Sequence, residues 1–122
     1  MSSLYRENIL DHYKNPRNKG KIKDANAQHK ELNPLCGDEI EFTLKIKDKK
    51  IEQIKFDGHG CAISQASASM LAEFLDKKTI KDADSITKED IFEMLSVPLS
   101  APRLKCALLP LEVLQKAIMK VK

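Results

Sequence analysis

The chain has 122 residues, of which 42% are hydrophobic and 32% are charged, and its formal net charge is +3. This composition argues against a disordered chain, and the length predicts a single domain over residues 1–122 that buries roughly two-thirds of its unfolded surface. We expect no transmembrane helix, because no apolar run approaches the ~20 residues that span a membrane.

A helix and then a basic stretch are predicted for the first 35 residues. Four residues recur at helical spacing, namely Tyr5, Ile9, His12 and Tyr13, and the Asn15-Pro16 step ends this helix. Residues 15–35 are polar, with at most one weak strand around residues 24–29. No aromatic residue interleaves with the basic side chains, so we expect a solvated loop and no nucleic-acid contacts. An acidic protein surface would be a better partner for this loop than DNA. The basic residues are Lys14, Arg17, Lys19, Lys21 and Lys23.

Two strands and a helix form the centre of the predicted fold. Alternating apolar residues from Ile40 to Ile46 indicate a half-buried antiparallel strand, and a turn at residues 48–50 leads into a second strand containing Ile54 and Phe56. After residues 58–60 the apolar spacing changes to that of a helix. Its predicted apolar stripe consists of Ile63, Ala66, Met70 and Phe74, widened by Leu71 and Leu75.

Two further helices are predicted in the C-terminal part of the chain. The segment Thr87-Lys88-Glu89-Asp90 resembles a capping box that opens a short helix. Pro110 fits only the first turn of a helix, so the last helix is expected to start between Cys106 and Leu109. The predicted fold class is therefore α+β, with a small antiparallel sheet of about three strands covered by helices.

Three cysteines that are far apart in the sequence are the main chemical signal. Cys36, Cys61 and Cys106 are separated by 25 and 45 residues. Their odd number and the absence of a recognisable secretory signal argue against a disulfide framework and favour a reducing cytoplasm. Three such thiols suit a soft metal or an iron–sulfur unit, with Asp38 within reach as a fourth ligand.

The local sequence around two of the cysteines favours the thiolate form. Cys61 and Cys106 are both predicted at helix starts, where the positive end of the helix dipole stabilises negative charge, and Arg103 and Lys105 add positive charge beside Cys106. Taken singly, Cys61 is better explained as a small buried hydrophobe, and His59 as a polar turn residue, than either is as a ligand. Only the joint pattern of the cysteines favours a ligand site.

Six segments spread over nearly the whole chain match one known family. They are residues 4–6 (LYR), 11–18 (DHYKNPRN), 33–38 (NPLCGD), 58–64 (GHGCAIS), 67–70 (SASM) and 103–107 (RLKCA). On these motifs the chain resembles the iron–sulfur cluster assembly scaffolds of the IscU, SufU and NifU N-terminal type. The three cysteine motifs occur in the family's order and at near-family spacing, which makes the resemblance highly specific.

The resemblance implies a compact α+β domain that accepts persulfide sulfur from a cysteine desulfurase, builds a [2Fe–2S] cluster with iron, and passes it to apo-proteins. It implies Cys36, Cys61 and Cys106 as thiolate ligands and candidate sulfur acceptors, with Asp38 as the carboxylate that tunes the site. The same four groups are expected to hold Zn²⁺ in the resting protein. Such a protein is a scaffold and sulfur acceptor rather than a conventional enzyme, and is expected in the cytoplasm without a membrane partner.

Two departures from the family pattern affect the expected ligands and partners. In the IscU branch a histidine precedes the last cysteine, whereas here Lys105 does, as in the SufU branch; a charged ammonium cannot ligate, so the ligand set narrows to three thiolates and Asp38. Residues 99–105 lack a Leu-Pro-Pro-Val-Lys motif, which argues against a specialised Hsp70 chaperone partner. The insertion usual between the last two cysteines of the SufU branch is also absent. Lys105 and Arg103 are expected to offset the excess negative charge of the ligands.

Two other functions remain open at this point. The first is a zinc-dependent sulfurtransferase, in which one thiol leaves the metal, accepts persulfide sulfur from the desulfurase and hands it on without building a cluster. The second is a structural zinc domain, which would unfold on mild chelation. The structural zinc domain is disfavoured, because closed zinc sites normally use Cys-x₂-Cys pairs, which this chain lacks. Of the three functions, the scaffold is preferred.

Overall fold

A three-stranded antiparallel sheet covered by helices forms the fold, which confirms the predicted α+β class. The computed structural model describes residues 3–33, 37–96 and 99–121. The strands of the sheet, in spatial order, are β1 (Ala27–Asn33), β2 (Asp38–Lys47) and β3 (Lys50–His59). The helices are α1 (Ser3–Lys14), α2 (Ala62–Leu75), α3 (Ile80–Asp84), α4 (Lys88–Leu95) and α5 (Ala101–Met119). Within the described ranges no helix is long and apolar enough to cross a membrane.

The predicted β2–β3 hairpin is confirmed, and its apolar face carries the core. Asp48 and Lys49 both have positive φ, the conformation of a tight hairpin turn that matches the twist of the flanking strands. Phe42 and Phe56 are directly paired across the two strands, with ring centroids 6.3 Å apart and a tilted geometry that aromatic pairs favour. Helices α2 and α5 pack against the sheet. This hairpin therefore fixes where α2 begins.

The weak strand predicted around residues 24–29 is displaced towards the C-terminus in the structure. β1 begins at Ala27, its one fully packed residue, and continues to Asn33 in antiparallel register with β2. Half-buried His29 and Glu31 occupy the inward positions that apolar residues normally fill, so the sequence lacks the alternation of a strand. Lys116 of α5 lies 2.9 Å from a Glu31 carboxylate oxygen and so connects this polar strand to the last helix.

Helix α2 is buried along most of its length, because its small residues let neighbouring elements approach closely. Ser64, Ser67 and Ser69 are all buried, and the Ser67 hydroxyl donates to the Ala107 carbonyl of α5 at 2.9 Å. One expected member of the apolar stripe was assigned wrongly. Phe74 is 51% exposed, whereas Leu75 in the same turn is fully buried, so Phe74 faces away from the core on the other side of the helix.

The short helices that follow α2 begin with capping boxes. The predicted box at Thr87 is confirmed: the Thr87 hydroxyl accepts from the Asp90 N–H, and the Asp90 carboxylate accepts from the Thr87 N–H. A second box joins Thr79 and Asp82 at the start of α3, a helix that was not predicted. Five residues are too few for a recognisable helical apolar period, which explains why α3 was missed.

The start of the last helix was predicted wrongly. Helix α5 begins at Ala101, with Pro102 in its first turn, and it continues through Pro110. Pro110 has no N–H to donate to the carbonyl of Cys106, four residues earlier, but the helix is held in place by buried residues on both sides of the proline, such as Leu114. Cys106 is therefore the sixth residue of α5, and the expected dipole effect of a helix start does not apply to it.

A buried histidine connects α1 to α2. His12 is buried, and its Nδ1 lies 2.7 Å from the Ser69 hydroxyl, which also accepts from the Arg17 N–H at 2.9 Å. Because this hydroxyl has a single proton, the simplest assignment is that Ser69 donates it to an unprotonated His12 Nδ1. Burial first, and then the charge of Arg17, lower the pKa of His12, while the carboxylates of Glu73 and Asp11 act in the opposite direction.

We predict that folding stability falls as the pH is lowered through the ordinary titration range of histidine. The pKa of His12 is lower in the folded state than its usual value of about 6.5, so below that pH the unfolded chain binds more protons. This contribution is fully present above about pH 6.5 and is lost as the pH falls towards the folded-state pKa. The free energy of unfolding is measured by urea titration between about pH 7.5 and 5.

A variant pair isolates the contribution of His12 from that of other groups. His12→Gln keeps an acceptor for Ser69 but cannot titrate, so the pH slope should flatten. The matched control is His59→Gln, whose side chain is 72% exposed; this variant should keep the wild-type slope. An unchanged slope in His12→Gln would contradict the prediction.

Candidate metal centre

Asp38 links the start of β2 to the start of α2. It is the first residue of β2 and is fully buried. Its Oδ1 accepts a hydrogen bond from the backbone N–H of Cys61 at 2.7 Å, and its Oδ2 lies 3.8 Å from the Cys61 Sγ. The carboxylate predicted as the fourth ligand is therefore already in contact with one of the three cysteines.

Cys61 lies at the start of a helix, as predicted, and its thiol is not used for capping. It is the N-cap residue of α2, has extended backbone angles and makes no side-chain capping hydrogen bond. The Asp38 carboxylate instead accepts the Cys61 N–H from the neighbouring strand. The half-exposed Cys61 sulfur therefore stays available next to the positive end of a helix dipole.

The glycines around His59 leave space for this contact. Gly60 has a φ of +145°, and a Cβ added there would lie 2.1 Å from Asp38 Oδ1. A Cβ on Gly58, whose φ is +144°, would lie 2.0 Å from the Glu39 carbonyl oxygen. The backbone of residues 58–60 therefore approaches β2 more closely than any side chain would permit, which is the close-approach role of glycine.

Cys106 completes a group of three candidate ligands. It is buried on α5, and one ligand atom each from Asp38, Cys61 and Cys106 lies within 4.8 Å of the other two. In a tetrahedral zinc site with Zn–S bonds of about 2.3 Å, ligand atoms are separated by roughly 3.8 Å. The observed spacing thus needs only a small contraction, and the donor set of soft thiols with one carboxylate fits zinc or iron.

The other residues of the expected site are exposed, or lie outside the residues that the structure describes. Cys36 is outside the described residues. Arg103 and Lys105 are exposed in the first two turns of α5. The His59 ring is largely exposed and lies 3.8 Å from a Glu39 carboxylate oxygen, so it is placed as a polar residue at the end of β3.

Two polar residues behind Cys61 were not recognised from the sequence. The Ser64 hydroxyl donates to the Cys61 carbonyl at 3.1 Å, and the Gln65 side-chain amide donates to Ser64 at 3.3 Å. Both side chains are buried, so they fix the first turn of α2 from inside the protein. The only signal in the sequence was the unusual number of small polar residues in an otherwise apolar helix.

Much of the charge of the predicted basic stretch is balanced within the chain. Arg17 contacts Asp11 at 2.6 Å and Glu73 at 3.4 Å, and Lys21 contacts Glu41 at 3.1 Å. The hydrogen bond from Lys21 to Glu41 raises the pKa of this lysine, so the ammonium form is favoured. These ion pairs support the solvated-loop interpretation over a surface built for an acidic partner.

We predict that Gly60→Ala destabilises the protein by about 1–3 kcal/mol more than Gly20→Ala. Both glycines have strongly positive φ, +145° and +131°, so both substitutions carry similar backbone strain. Only the new Cβ at position 60 collides with Asp38, because at position 20 the nearest atom is a flexible Lys55 carbon 3.8 Å away. Chemical denaturation of the metal-free proteins measures the difference. Equal losses in the free energy of unfolding would show that a side chain at position 60 does not collide with Asp38.

Comparison with known proteins identifies the relatives of this chain. Residues 4–122 match the NifU-like N-terminal domain family. The chain is 39% identical to the zinc-dependent sulfurtransferase SufU of Bacillus subtilis, with 98% of this chain and 92% of the relative covered. It is 42% identical to the iron–sulfur cluster assembly scaffold protein IscU of Aquifex aeolicus, with 97% of this chain and 76% of the relative covered.

A solved structure agrees with this assignment. The putative iron–sulfur cluster assembly scaffold protein for the SUF system from Fervidobacterium islandicum superimposes with a TM-score of 0.78 at 32% identity, and the match covers 97% of this chain and 99% of the other. Fold, motifs and sequence similarity agree along nearly the full length. The chain therefore belongs to the NifU-like N-terminal domain family, which includes proteins named IscU and SufU.

Proposed function

We propose that this protein is an iron–sulfur cluster assembly scaffold. It accepts persulfide sulfur from a cysteine desulfurase, and an external thiol reductant supplies the two electrons that convert each sulfur to sulfide. With iron this sulfide forms a [2Fe–2S] cluster on Cys36, Asp38, Cys61 and Cys106, which is then transferred to apo-proteins. The observation that carries the proposal is the convergence of Asp38, Cys61 and Cys106, whose ligand atoms come from three different elements and lie within 4.8 Å of one another. Three cysteines, an odd number, suit a protein of the reducing cytoplasm better than a disulfide framework.

Chain connectivity supports Cys36 as the remaining ligand. Cys36 precedes Asp38 by two residues, so covalent geometry limits the distance between their Cα atoms to about 7 Å. Asp38 itself touches Cys61. A third thiol is therefore restricted to the neighbourhood of the other ligands by the chain itself.

The same residues are suited to hold Zn²⁺ in the resting protein. When bound, zinc would keep the thiols deprotonated and limit their exchange with other sulfur compounds. The chain contributes the arrangement: Cys106 is held inside α5, Cys61 is fixed at the start of α2, and Asp38 Oδ1 is engaged by the Cys61 N–H. Arg103 and Lys105 are proposed to offset the negative charge of the four ligands.

Asp38 is proposed to make the site releasable. Its carboxylate is a harder donor than a thiolate, so it binds a soft centre less tightly. Because Oδ1 accepts the Cys61 N–H, Oδ2 is the oxygen that faces the Cys61 sulfur. A fourth ligand that binds weakly but is held in position suits a protein that must both hold and release a cluster.

We predict that Asp38→Ala and Asp38→Asn both slow cluster transfer. Asn keeps an oxygen that can accept the Cys61 N–H, whereas Ala also removes this cap and should cost about 1 kcal/mol of stability. Transfer from the loaded protein to a [2Fe–2S] acceptor apo-protein is followed by circular dichroism. Transfer at the wild-type rate in both variants would show that Asp38 has no role in cluster release.

Each of the Cys36→Ser, Cys61→Ser and Cys106→Ser variants is predicted to lose cluster loading. A serine hydroxyl is a poor ligand for iron at neutral pH, since it stays protonated. Anaerobic incubation with iron, cysteine and a cysteine desulfurase, followed by the visible absorption spectrum, measures loading. A wild-type spectrum in any one variant would exclude that residue as a ligand.

A zinc-dependent sulfurtransferase is the second candidate function. The similarity to the Bacillus subtilis sulfurtransferase favours it, as does the non-ligating Lys105 before the last cysteine. Against it, that alignment spans 137 positions although this chain has 122 residues, so the relative carries segments that have no counterpart here. Anaerobic incubation with desulfurase and iron separates the two: a scaffold yields a transferable chromophore, and a sulfurtransferase yields only a persulfide on one cysteine.

A purely structural zinc site is disfavoured by the extent of the core. Fully buried Phe42, Leu71 and Leu114 belong to one cluster, which is built from the sheet and from two helices. Such a core does not need a metal to exclude water. We predict that EDTA leaves the far-ultraviolet circular dichroism spectrum unchanged at 25 °C, whereas a structural zinc domain would unfold.

A further inference from the structure

A groove unrelated to the metal centre lies at the opposite end of α2. It has a volume of about 500 Å³ and is enclosed by the last turn of α2 together with α3 and α4. Its apolar floor consists of Phe74, Ile86 and Met94, and its rim carries Asp82, Asp90 and Glu93. We call these six residues the acidic groove.

The floor of the acidic groove exposes an aromatic ring. Phe74 is 51% exposed, although the neighbouring α2 residues Leu71 and Leu75 are fully buried. Ile86 is nearly buried beside it and gives the ring a firm apolar border. A large exposed aromatic side chain in a concave, apolar setting is typical of an anchor point at a protein interface.

The rim has the opposite charge to the protein as a whole. Three carboxylates and the single ammonium of Lys78 line the groove, which gives it a local charge of −2, whereas the chain has a net charge of +3. Two of the carboxylates are held in place, since Asp82 and Asp90 accept the backbone N–H groups of Thr79 and Thr87. The first of these hydrogen bonds also lowers the pKa of Asp82, so this carboxylate stays ionised.

Lys78 shows how a cation fits the groove. Its Nζ lies 5.7 Å from the centroid of the Phe74 ring, within the range of a cation–π contact. The lysine is on a flexible exposed side chain at the edge of the groove. A cation supplied from outside would compete with it for the ring and the carboxylates.

We propose that the acidic groove binds a short basic amphipathic segment of a partner protein. A leucine-sized side chain of the segment packs on Phe74, and lysine or arginine side chains on either side of it pair with Asp90 and Glu93. Charge complementarity selects this occupant, because an acidic or neutral segment would leave the rim carboxylates facing apolar groups without compensation. Phe74 follows Cys61 by 13 residues, about 20 Å along α2, so a partner can sit here while the metal centre is in use.

The test uses the whole 122-residue chain and a synthetic peptide. The probe is a fluorescein-labelled, twelve-residue helical peptide with leucines on one face and lysines on the other. Fluorescence anisotropy at about 150 mM salt measures binding, because distant charges are largely screened there. Amide chemical shifts recorded with unlabelled peptide locate it on the protein. A second peptide with glutamates in place of the lysines should not bind.

Some variants are expected to weaken peptide binding and one is expected to strengthen it, which makes the test specific to the groove. Glu93→Gln should weaken binding about threefold, whereas Glu89→Gln, one turn earlier on α4 and outside the groove, should not. Lys78→Gln should strengthen binding by a similar factor, with Lys81→Gln as its control. Phe74→Ala should weaken binding about tenfold through loss of the anchor, and its exposed position keeps the fold intact.

Several results would overturn the proposal. They are the absence of peptide binding, equal effects in Glu93→Gln and Glu89→Gln, and shift changes that map away from α3 and α4. Sedimentation of the protein without peptide could give another contradicting result. If the protein self-associates and Phe74→Ala abolishes this association, the groove binds a second copy of the chain instead. Because the test is done on metal-free protein, its outcome is independent of cluster loading.

Discussion

The hydrogen bond between the Cys61 N–H and the Asp38 carboxylate is the contact on which the site depends. It joins the first residue of β2 to the residue that begins α2, and both groups are held there by the pairing of β2 with β3. The contact exists only because Gly60 lets the backbone reach the carboxylate. At the start of α2 the hydrogen bond is made by Asp38 of the sheet and not by the side chain of the N-cap residue, Cys61. The Cys61 thiol is therefore not used for capping.

The third ligand depends on a different constraint, the close approach of α5 to α2. Small buried residues such as Ser67 make that approach feasible, and the hydrogen bond from Ser67 to the Ala107 carbonyl fixes the residue next to Cys106. Cys106 is thus positioned by helix packing, whereas Asp38 and Cys61 are positioned by the sheet. A site assembled from two independent constraints can widen or contract by small shifts of one helix, which suits a centre that must change its contents.

The regular parts of the fold were predictable from the sequence, and all three candidate ligands that the structure brings together, Asp38, Cys61 and Cys106, were named from it. The exceptions have physical causes. The alternation in β2 and the glycines before Cys61 are local signals, so they predicted the hairpin and the start of α2. Tertiary packing overrode the local signals elsewhere: α5 continues through Pro110 because its buried face compensates for one lost hydrogen bond, and β1 forms from polar residues because β2 and α5 hold it. The helical spacing of His12 from Ile9 is a local signal for its burial, but its hydrogen bond to Ser69 has no local signal, since Ser69 is 57 residues away.

The two ends of α2 differ in their surroundings, and the candidate metal centre and the proposed binding groove lie at opposite ends. At the N-terminal end, the backbone of Cys61 is held by hydrogen bonds to buried Asp38 and Ser64. At the C-terminal end, Phe74 protrudes into an open groove with a charged rim, where side chains can move without disturbing the core. Helix α2 packs against α5 and β3 between these two ends. The acidic groove therefore lies about 20 Å along the helix from Cys61, so a contact there does not touch the groups that position the thiol.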